Sequence, residues 1–122
     1  MIIYTASPLG APTAEEIARN VSTAIKFGEW INTFIPGHKS IVPHRLATIM
    51  DDNNPDHRRM GLEIDLQILF PLADEVWVLG ERISTGMRME IEAAKAKDIP
   101  VRYFIEADCG YMELPIRRKL IW

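Results

Sequence analysis

The sequence predicts an α/β protein with a doubly wound, flavodoxin- or Rossmann-like parallel sheet of about four strands and helices on both faces. Short apolar runs alternate along the chain with longer stretches of helical periodicity, which is typical of βα units. Right-handed crossovers between parallel strands place such helices on both faces of the sheet. The 122 residues are enough for one compact core, so we expect a single domain over residues 1–122.

The first part of the chain contains two predicted strands and one predicted helix. Residues 1–6 form a short apolar run that the segment 7–10 (Ser-Pro-Leu-Gly) breaks. Thr13 and Glu16 have the spacing of a capping box, in which the two residues satisfy each other's exposed amides. Apolar or small residues then follow at helical spacing, namely Ile17, Val21, Ala24, Ile25 and Gly28. Residues 40–42 are predicted as a second short strand, which ends before His44.

A second helix is predicted to begin after the polar turn at residues 51–55. Asn54 is a suitable cap, and Pro55 suits the first helical position, where its missing amide hydrogen costs nothing. The predicted apolar stripe of this helix is Met60, Ile64, Ile68 and Leu72. Asp65 lies on the flank of that stripe, where it is either a surface residue or a side chain that points into a pocket.

The remaining elements follow a buried strand. Residues 75–79 (Glu-Val-Trp-Val-Leu) form the clearest strand of the chain. A helix is predicted over residues 84–97, a last strand over residues 100–105, and a helical end for the tail, residues 110–122. With four strands, the simplest doubly wound order is 2-1-3-4. The loops after strands 1, 2 and 3 then share one edge of the sheet, where ligands bind in such folds.

Composition excludes several classes of function. The formal net charge is −3, whereas nucleic-acid binding needs clustered Lys and Arg. The one basic cluster, residues 117–119, is interpreted as the charged end of a last helix. No apolar run reaches the ~20 residues that span a bilayer, and the N-terminus lacks a signal-peptide pattern. The single Cys109 and the absence of zinc or calcium spacing leave no expected metal or cofactor. We expect a cytoplasmic protein that binds neither membrane nor nucleic acid.

Glu90 is the first candidate for chemistry. Met87, Ile91 and Ala94 form the buried stripe of its helix, and Glu90 lies on the shoulder of that stripe, close to the sheet. Glu92 lies on the opposite, polar side and has an obvious surface role. A half-exposed carboxylate on the flank of an amphipathic helix is the alternative interpretation of Glu90.

The loop that leads into this helix is the second candidate. The backbone amides of Ser84, Thr85 and Gly86 at a helix N-terminus suit an anion or a sugar hydroxyl, and Gly86 allows a ligand to approach the backbone. The alternative is that Ser84 or Thr85 only caps the helix. The segment 7–10 contains no dinucleotide fingerprint and no P-loop.

Two further side chains are candidates with open alternatives. Tyr4 lies in the first strand and is either a core residue or a phenol with a polar partner. His44 follows the second strand and is either structural or part of the site.

Together these residues resemble the nucleoside 2-deoxyribosyltransferase family, including its short phage and bacterial members. The resemblance covers nearly the whole chain. It depends on Ile-Tyr-Thr-Ala-Ser-Pro at residues 3–8, Val-Pro-His at residues 42–44, and above all the segment from Ala73 to Lys95, which contains Asp-Glu-Val-Trp-Val-Leu-Gly and Ser-Thr-Gly-Met-Arg-Met-Glu.

The resemblance implies the roles of the catalytic residues. A glutamate at the position of Glu90 attacks C1′ of a 2′-deoxyribonucleoside, the base leaves, and a second base or water resolves the deoxyribosyl-enzyme. The resemblance also implies that Tyr4 is a phenol near that glutamate and that Asp65 contacts the base or helps to protonate it.

The resemblance also points to substrate-binding residues, for which we select Ser7, His44, Ser84, Gly86 and Met87. Ser84 replaces the aspartate that transferases have six residues before the nucleophile. A serine there is similar to the 2′-deoxynucleoside 5′-monophosphate N-glycosidase branch, in which it helps to hold the 5′-phosphate. Ser7 matches another phosphate contact of that branch. The arginine that the branch has in its first loop is absent here.

The leading hypothesis is therefore an enzyme that cleaves or transfers the N-glycosidic bond of 2′-deoxyribonucleosides or their 5′-monophosphates. The alternative is a non-catalytic protein that senses or sequesters a nucleotide on the same fold. Because the family commonly completes its sites across a subunit interface, the resemblance also implies a homo-oligomer.

Overall fold

The computed structural model describes residues 1–51 and 54–115. A five-stranded sheet runs through this part of the chain in the order β2-β1-β3-β4-β5. The strands are β1 (Ile2–Ala6), β2 (Lys39–Ile41), β3 (Glu75–Leu79), β4 (Val101–Ala107) and β5 (Gly110–Glu113). The first four are parallel to one another. The predicted order 2-1-3-4 is therefore confirmed, and the α/β class with it.

The fifth strand corrects the prediction of a helical tail. β5 pairs antiparallel with β4, with Ala107 opposite Gly110. Tyr111 then packs its ring 4.8 Å from that of Phe27 and 5.0 Å from that of Trp30, between ring centroids. This packing favours a strand at the sheet edge over a free helix. The rest of the predicted helix and the basic cluster at residues 117–119 lie outside the described residues.

Three helices connect the parallel strands: α1 (Ala14–Phe34), α2 (Pro55–Ile64) and α3 (Thr85–Ala96). Both predicted caps are present, although only the Thr13 half of the predicted capping box is formed. The Thr13 hydroxyl accepts a hydrogen bond from the amide of Glu16 at 3.2 Å. The Asn54 side chain accepts from the amides of Asp56 and His57. These caps satisfy amides that the first helical turn leaves without partners.

The core has two halves, one on each face of the sheet, because successive strand residues point to opposite sides. Tyr4, Val76 and Val78 face α3 with the buried Met87 and Ile91. The other face is formed by residues from β1, β3, β4 and α1, namely Ile3, Trp77, Leu79, Phe104, Phe27 and Ile31. In α1 the buried residues are Ala24, Phe27, Gly28 and Ile31, so the predicted stripe is shifted toward the C-terminal end.

The segment after α2 departs from the predicted long helix. The α-helix ends at Ile64, a π-helical turn covers Asp65–Leu69, and a 3-10 turn covers Phe70–Leu72. The predicted apolar stripe is wrong, since Met60, Ile68 and Leu72 are 49%, 60% and 56% exposed. A π turn adds a residue to the helical repeat and changes the phase of the side chains. The fully buried residue of this segment is consequently Phe70.

No helix in the described part of the chain is both long enough and apolar enough to cross a membrane.

Candidate functional site

A cavity of about 540 Å³ lies at the carboxyl edge of the parallel strands. The segments after β1, β2 and β3 all contribute to it, as the predicted topology requires. The α2 helix supplies a further wall. The residues that argue for chemistry here are Ser7, His44, Asp65, Gly86, Met87 and Glu90, all of which line the cavity.

Tyr4 and Glu90 come together across 86 residues of sequence. The phenol of Tyr4 donates a hydrogen bond to the Glu90 carboxylate. Tyr4 is fully buried on β1, and its ring packs edge-on against Phe70 at 5.1 Å between centroids. Glu90 precedes the fully buried Ile91 on α3. The sheet and the core face of α3 therefore fix both partners, and Glu90 lines the cavity.

Burial sets the proton affinity of this pair. It raises the pKa of Glu90 to about 8, while the Tyr4 hydrogen bond acts in the opposite direction and the charge of Asp65 adds to the increase. Burial and the two nearby carboxylates raise the pKa of Tyr4 far above its usual range. Tyr4 therefore stays neutral and acts as a hydrogen-bond donor.

Asp65 is the second carboxyl group of the cavity. Burial raises its pKa to about 7. Its Oδ1 atom is buried and has no hydrogen-bond partner among the described residues. Because Asp65 and Glu90 interact electrostatically, their protons belong to the pair. At neutral pH the cavity thus holds at least one carboxylic acid that can donate a proton.

Ser7 and His44 join the loops after β1 and β2. The Nε2 atom of His44 is 2.9 Å from the Ser7 carbonyl oxygen and 3.2 Å from the Ser7 hydroxyl. Since a carbonyl oxygen only accepts, Nε2 carries the ring proton. Burial lowers the pKa of His44, which keeps the ring neutral. Its Nδ1 is then a buried acceptor without a partner among the described residues. His44 has a structural contact, because it joins the two loops, and it also lines the cavity. A part in the site therefore stays a prediction beside the structural role.

Ser84 caps α3, and its hydroxyl accepts from the Met87 amide at 3.2 Å. Cavity lining on this helix begins at the next residue, with Thr85, Gly86 and Met87. The predicted cap at Ser84 is confirmed, whereas the binding of an anion or a sugar hydroxyl by this loop stays a prediction. The Ser84 side chain serves the cap, and the residues after it face the cavity.

Sequence reasoning missed the contribution of α2. His57, Arg58 and Arg59 line the same cavity, although none was considered a candidate. A signal was available, since Arg58, Gly61, Leu62 and Asp65 follow the i, i+3, i+4, i+7 spacing of one helix face. Helical periodicity identifies this face of α2 when the residues are counted back from Asp65, whereas counting from the apolar residues identifies a different face.

Comparison with known proteins places this geometry in context. Residues 1–104 match a family described as a domain of unknown function, DUF7768. The chain belongs to this family. The matched DUF7768 segment ends within β4 and includes every residue that lines the cavity. No curated protein matches the chain significantly.

A solved structure similar to this DUF7768 chain is the 2-deoxyribosyltransferase of the psychrotolerant bacterium Bacillus psychrosaccharolyticus, a biocatalyst for nucleoside synthesis. The two share 23% sequence identity with a TM-score of 0.62, over 99% of this chain and 80% of the other. The predicted resemblance to deoxyribosyltransferases is thus confirmed at the level of the fold.

Proposed function

We propose that this chain cleaves or transfers the N-glycosidic bond of 2′-deoxyribonucleosides or their 5′-monophosphates, with Glu90 as the nucleophile. The observation that carries the proposal is the hydrogen bond from the buried Tyr4 to Glu90, a residue that lines an open cavity. If Glu90 were only a solvated carboxylate on the flank of its helix, its side chain would not be expected to accept a hydrogen bond from a buried phenol. The fold shared with a 2-deoxyribosyltransferase supports the same activity.

In the first step a carboxylate oxygen of Glu90 attacks C1′ of the deoxyribose. The bond from C1′ to the base nitrogen breaks, and its electron pair stays with the base. The Asp65–Glu90 pair holds a proton near neutral pH, and in the reactive form this proton is on Asp65, which passes it to the departing base. The product is a deoxyribosyl ester of Glu90, as in the first half of a retaining glycosidase reaction.

In the second step the ester is resolved. A nitrogen of a second base, or the oxygen of a water molecule, attacks C1′ from the face that the first base left. The bond between C1′ and the Glu90 oxygen breaks, which restores the carboxylate. The proton lost by the attacking group returns to Asp65, so the enzyme ends each cycle unchanged.

Tyr4 positions the nucleophile in this scheme. Its hydrogen bond fixes the carboxylate and favours its ionised form, which is the reactive one. Because the pKa of Tyr4 is raised so strongly, the phenol does not ionise and compete for the same proton.

Sugar and base binding follow from the other cavity residues. The amides of Thr85 and Gly86, in the first turn of α3, have no helical partners and suit a sugar hydroxyl. The unpartnered Nδ1 of His44 can accept from a second donor. Met50, Leu62 and Met87 supply apolar surface for a base. Ser7 and Ser84 do not contact the substrate in this scheme. Ser7 contacts His44, and Ser84 caps the helix that presents Thr85 and Gly86.

A chromatographic assay tests the proposal. The purified protein is incubated with deoxyribonucleosides and their 5′-monophosphates, with and without a second free base. Base released without an acceptor identifies a hydrolase, and product formed only with the second base identifies a transferase. Glu90→Ala should reduce turnover about a thousandfold or more, since the covalent route is lost.

The matched control is Glu92→Ala, on the exposed side of the same helix, which should retain full activity. Wild-type turnover indistinguishable from Glu90→Ala with every substrate would contradict the proposal. If calorimetry then still detected nucleotide binding, the non-catalytic binding protein would become the better account.

A further inference from the structure

We propose that Arg58 binds the 5′-phosphate of a deoxyribonucleoside monophosphate, which makes the monophosphate the preferred substrate class of this cavity. The inference is based on the function proposed above and adds a specificity-determining residue to it. It depends on the position and charge of α2, in which the sequence resemblance implied no site residue.

The groups that the resemblance offers for a phosphate are already engaged. The Ser7 hydroxyl lies 3.2 Å from His44, and Ser7 is 6% exposed. The Ser84 hydroxyl accepts the Met87 amide. The loop after β1 continues as Pro8, Leu9 and Gly10, without a cation. A phosphate in this cavity must therefore find its positive partner on another element.

The cavity face of α2 supplies that partner at a suitable distance from the chemistry. Arg58 and Asp65 are seven residues apart, which is two helical turns, so they share one face about 10 Å apart along the axis. Gly61 and Leu62 lie between them and also line the cavity. A Cβ atom at Gly61 would approach only the Met50 sulfur, at 3.7 Å. One wall therefore presents a cation, a small apolar surface and a carboxyl group in sequence.

The charges at the two ends of this wall select one orientation of a nucleotide. The negative charge that the Asp65–Glu90 pair carries repels a phosphate dianion, whereas Arg58 attracts it in the first turns of α2, where the helix dipole is also positive. Because the base is attached at C1′ and the 5′-phosphate is carried by C4′ through C5′, across the ring oxygen, a phosphate at Arg58 directs C1′ and the base toward the two carboxyl groups.

Arg58 is the basic residue of α2 best suited to an external anion. Arg59 is paired with Asp56 at 3.1 Å, whereas Arg58 makes no ion pair with any residue in the described ranges. His57 accepts the Asp51 amide on Nδ1 at 2.8 Å. Its proton is therefore on Nε2, which leaves a second donor beside Arg58. A guanidinium matches phosphate geometry through two parallel hydrogen bonds.

The test compares thymidine with thymidine 5′-monophosphate, and 2′-deoxyadenosine with its 5′-monophosphate. The measured quantity is the ratio of kcat/KM for the monophosphate to that for the nucleoside. One hydrogen-bonded charge corresponds to roughly a ten- to hundredfold preference for the monophosphate in the wild type. Arg58→Gln should bring the ratio close to one, and Arg58→Lys should retain part of it. Arg19→Gln, on the exposed side of α1, should leave the ratio and both rates unchanged.

Calorimetry on Glu90→Ala provides a second readout without turnover. Thymidine 5′-monophosphate should bind more tightly than thymidine, and adding Arg58→Gln should remove the difference. Wild-type turnover with a ratio near one, or a ratio unchanged in Arg58→Gln, overturns the inference and leaves the proposed function intact. Phosphate-dependent binding through Arg58 without any turnover supports the phosphate site and overturns the proposed function.

Discussion

Two helices line the same cavity but are held in very different ways. α3 buries Met87, Ile91 and Ala94 in the core, so Glu90 is carried by a helix that the fold fixes. α2 has no fully buried residue, and the turns after it expose Ile68 and Leu72. Glu90 is therefore positioned by the core, whereas Asp65 and Arg58 are carried by a segment that buries few side chains.

Replacing Asp65 tests the weakly supported side and has the largest expected effect. Asp65→Asn removes the proton donor for the leaving base, which should lower kcat/KM about a hundredfold to ten-thousandfold. In the wild type, activity should fall at high pH, because the Asp65–Glu90 pair then loses the proton that Asp65 carries in the reactive form. The pH profile of Asp65→Asn should lack this decrease at high pH, the basic limb. The decrease at low pH, the acid limb, should move to lower pH, because the charge of Asp65 raises the pKa of Glu90.

The measurement is kcat/KM between pH 5 and 9 for a deoxynucleoside and for 7-methyl-2′-deoxyguanosine. The methylated base is already cationic and leaves without protonation, so Asp65→Asn should impair it least. An equal loss for both substrates, with the basic limb still present, would show that Asp65 is not the acid.

Replacing Tyr4 tests the part of the cavity that the core holds, and the expected loss of kcat/KM is smaller than for Asp65→Asn. Tyr4→Phe removes one hydrogen bond to the carboxylate, which corresponds to roughly a ten- to hundredfold loss in kcat/KM at neutral pH. Because that hydrogen bond lowers the pKa of Glu90, its removal should move the acid limb to higher pH.

Tyr111→Phe is the control, since Tyr111 packs on Phe27 at the opposite face of the sheet. Tyr111→Phe should leave the pH profile of kcat/KM unchanged. A Tyr4→Phe profile identical to that of the wild type would mean that the phenol does not act on Glu90 in the reaction.

The contrast between the helices also explains what the sequence could and could not predict. β3 was predicted residue by residue because Val-Trp-Val-Leu is buried on both faces and bounded by polar residues. The shoulder position of Glu90 follows from the regular spacing of Met87, Ile91 and Ala94. Local periodicity determines both features, and tertiary packing agrees with it.

The segment after α2 could not be predicted in this way. Its π turn is followed by Phe70, which packs in the core against Tyr4, a residue of a distant strand. Ile68 and Leu72, on either side of Phe70, are exposed, and no local periodicity predicts this tertiary contact. Likewise β5 depends on pairing with β4. Arg58 was overlooked because charged residues on an exposed helix are normally solvated.

The exposed apolar side chains of the α2 segment lead to the last prediction. We propose that a second copy of this chain covers Met60, Ile68 and Leu72, so that a homo-oligomer supports α2 as the core supports α3. The combined change Ile68→Ser and Leu72→Ser should leave the fold intact, because exposed side chains add little to the core. It should reduce the oligomer to a monomer in light scattering and lower turnover only severalfold, through less exact placement of Asp65 and Arg58.

Phe34→Ser, which removes a similarly exposed side chain at the end of α1, should change neither the mass of the particle nor the rate of turnover. A wild-type protein that is monomeric at all concentrations would show that α2 holds its position without a partner.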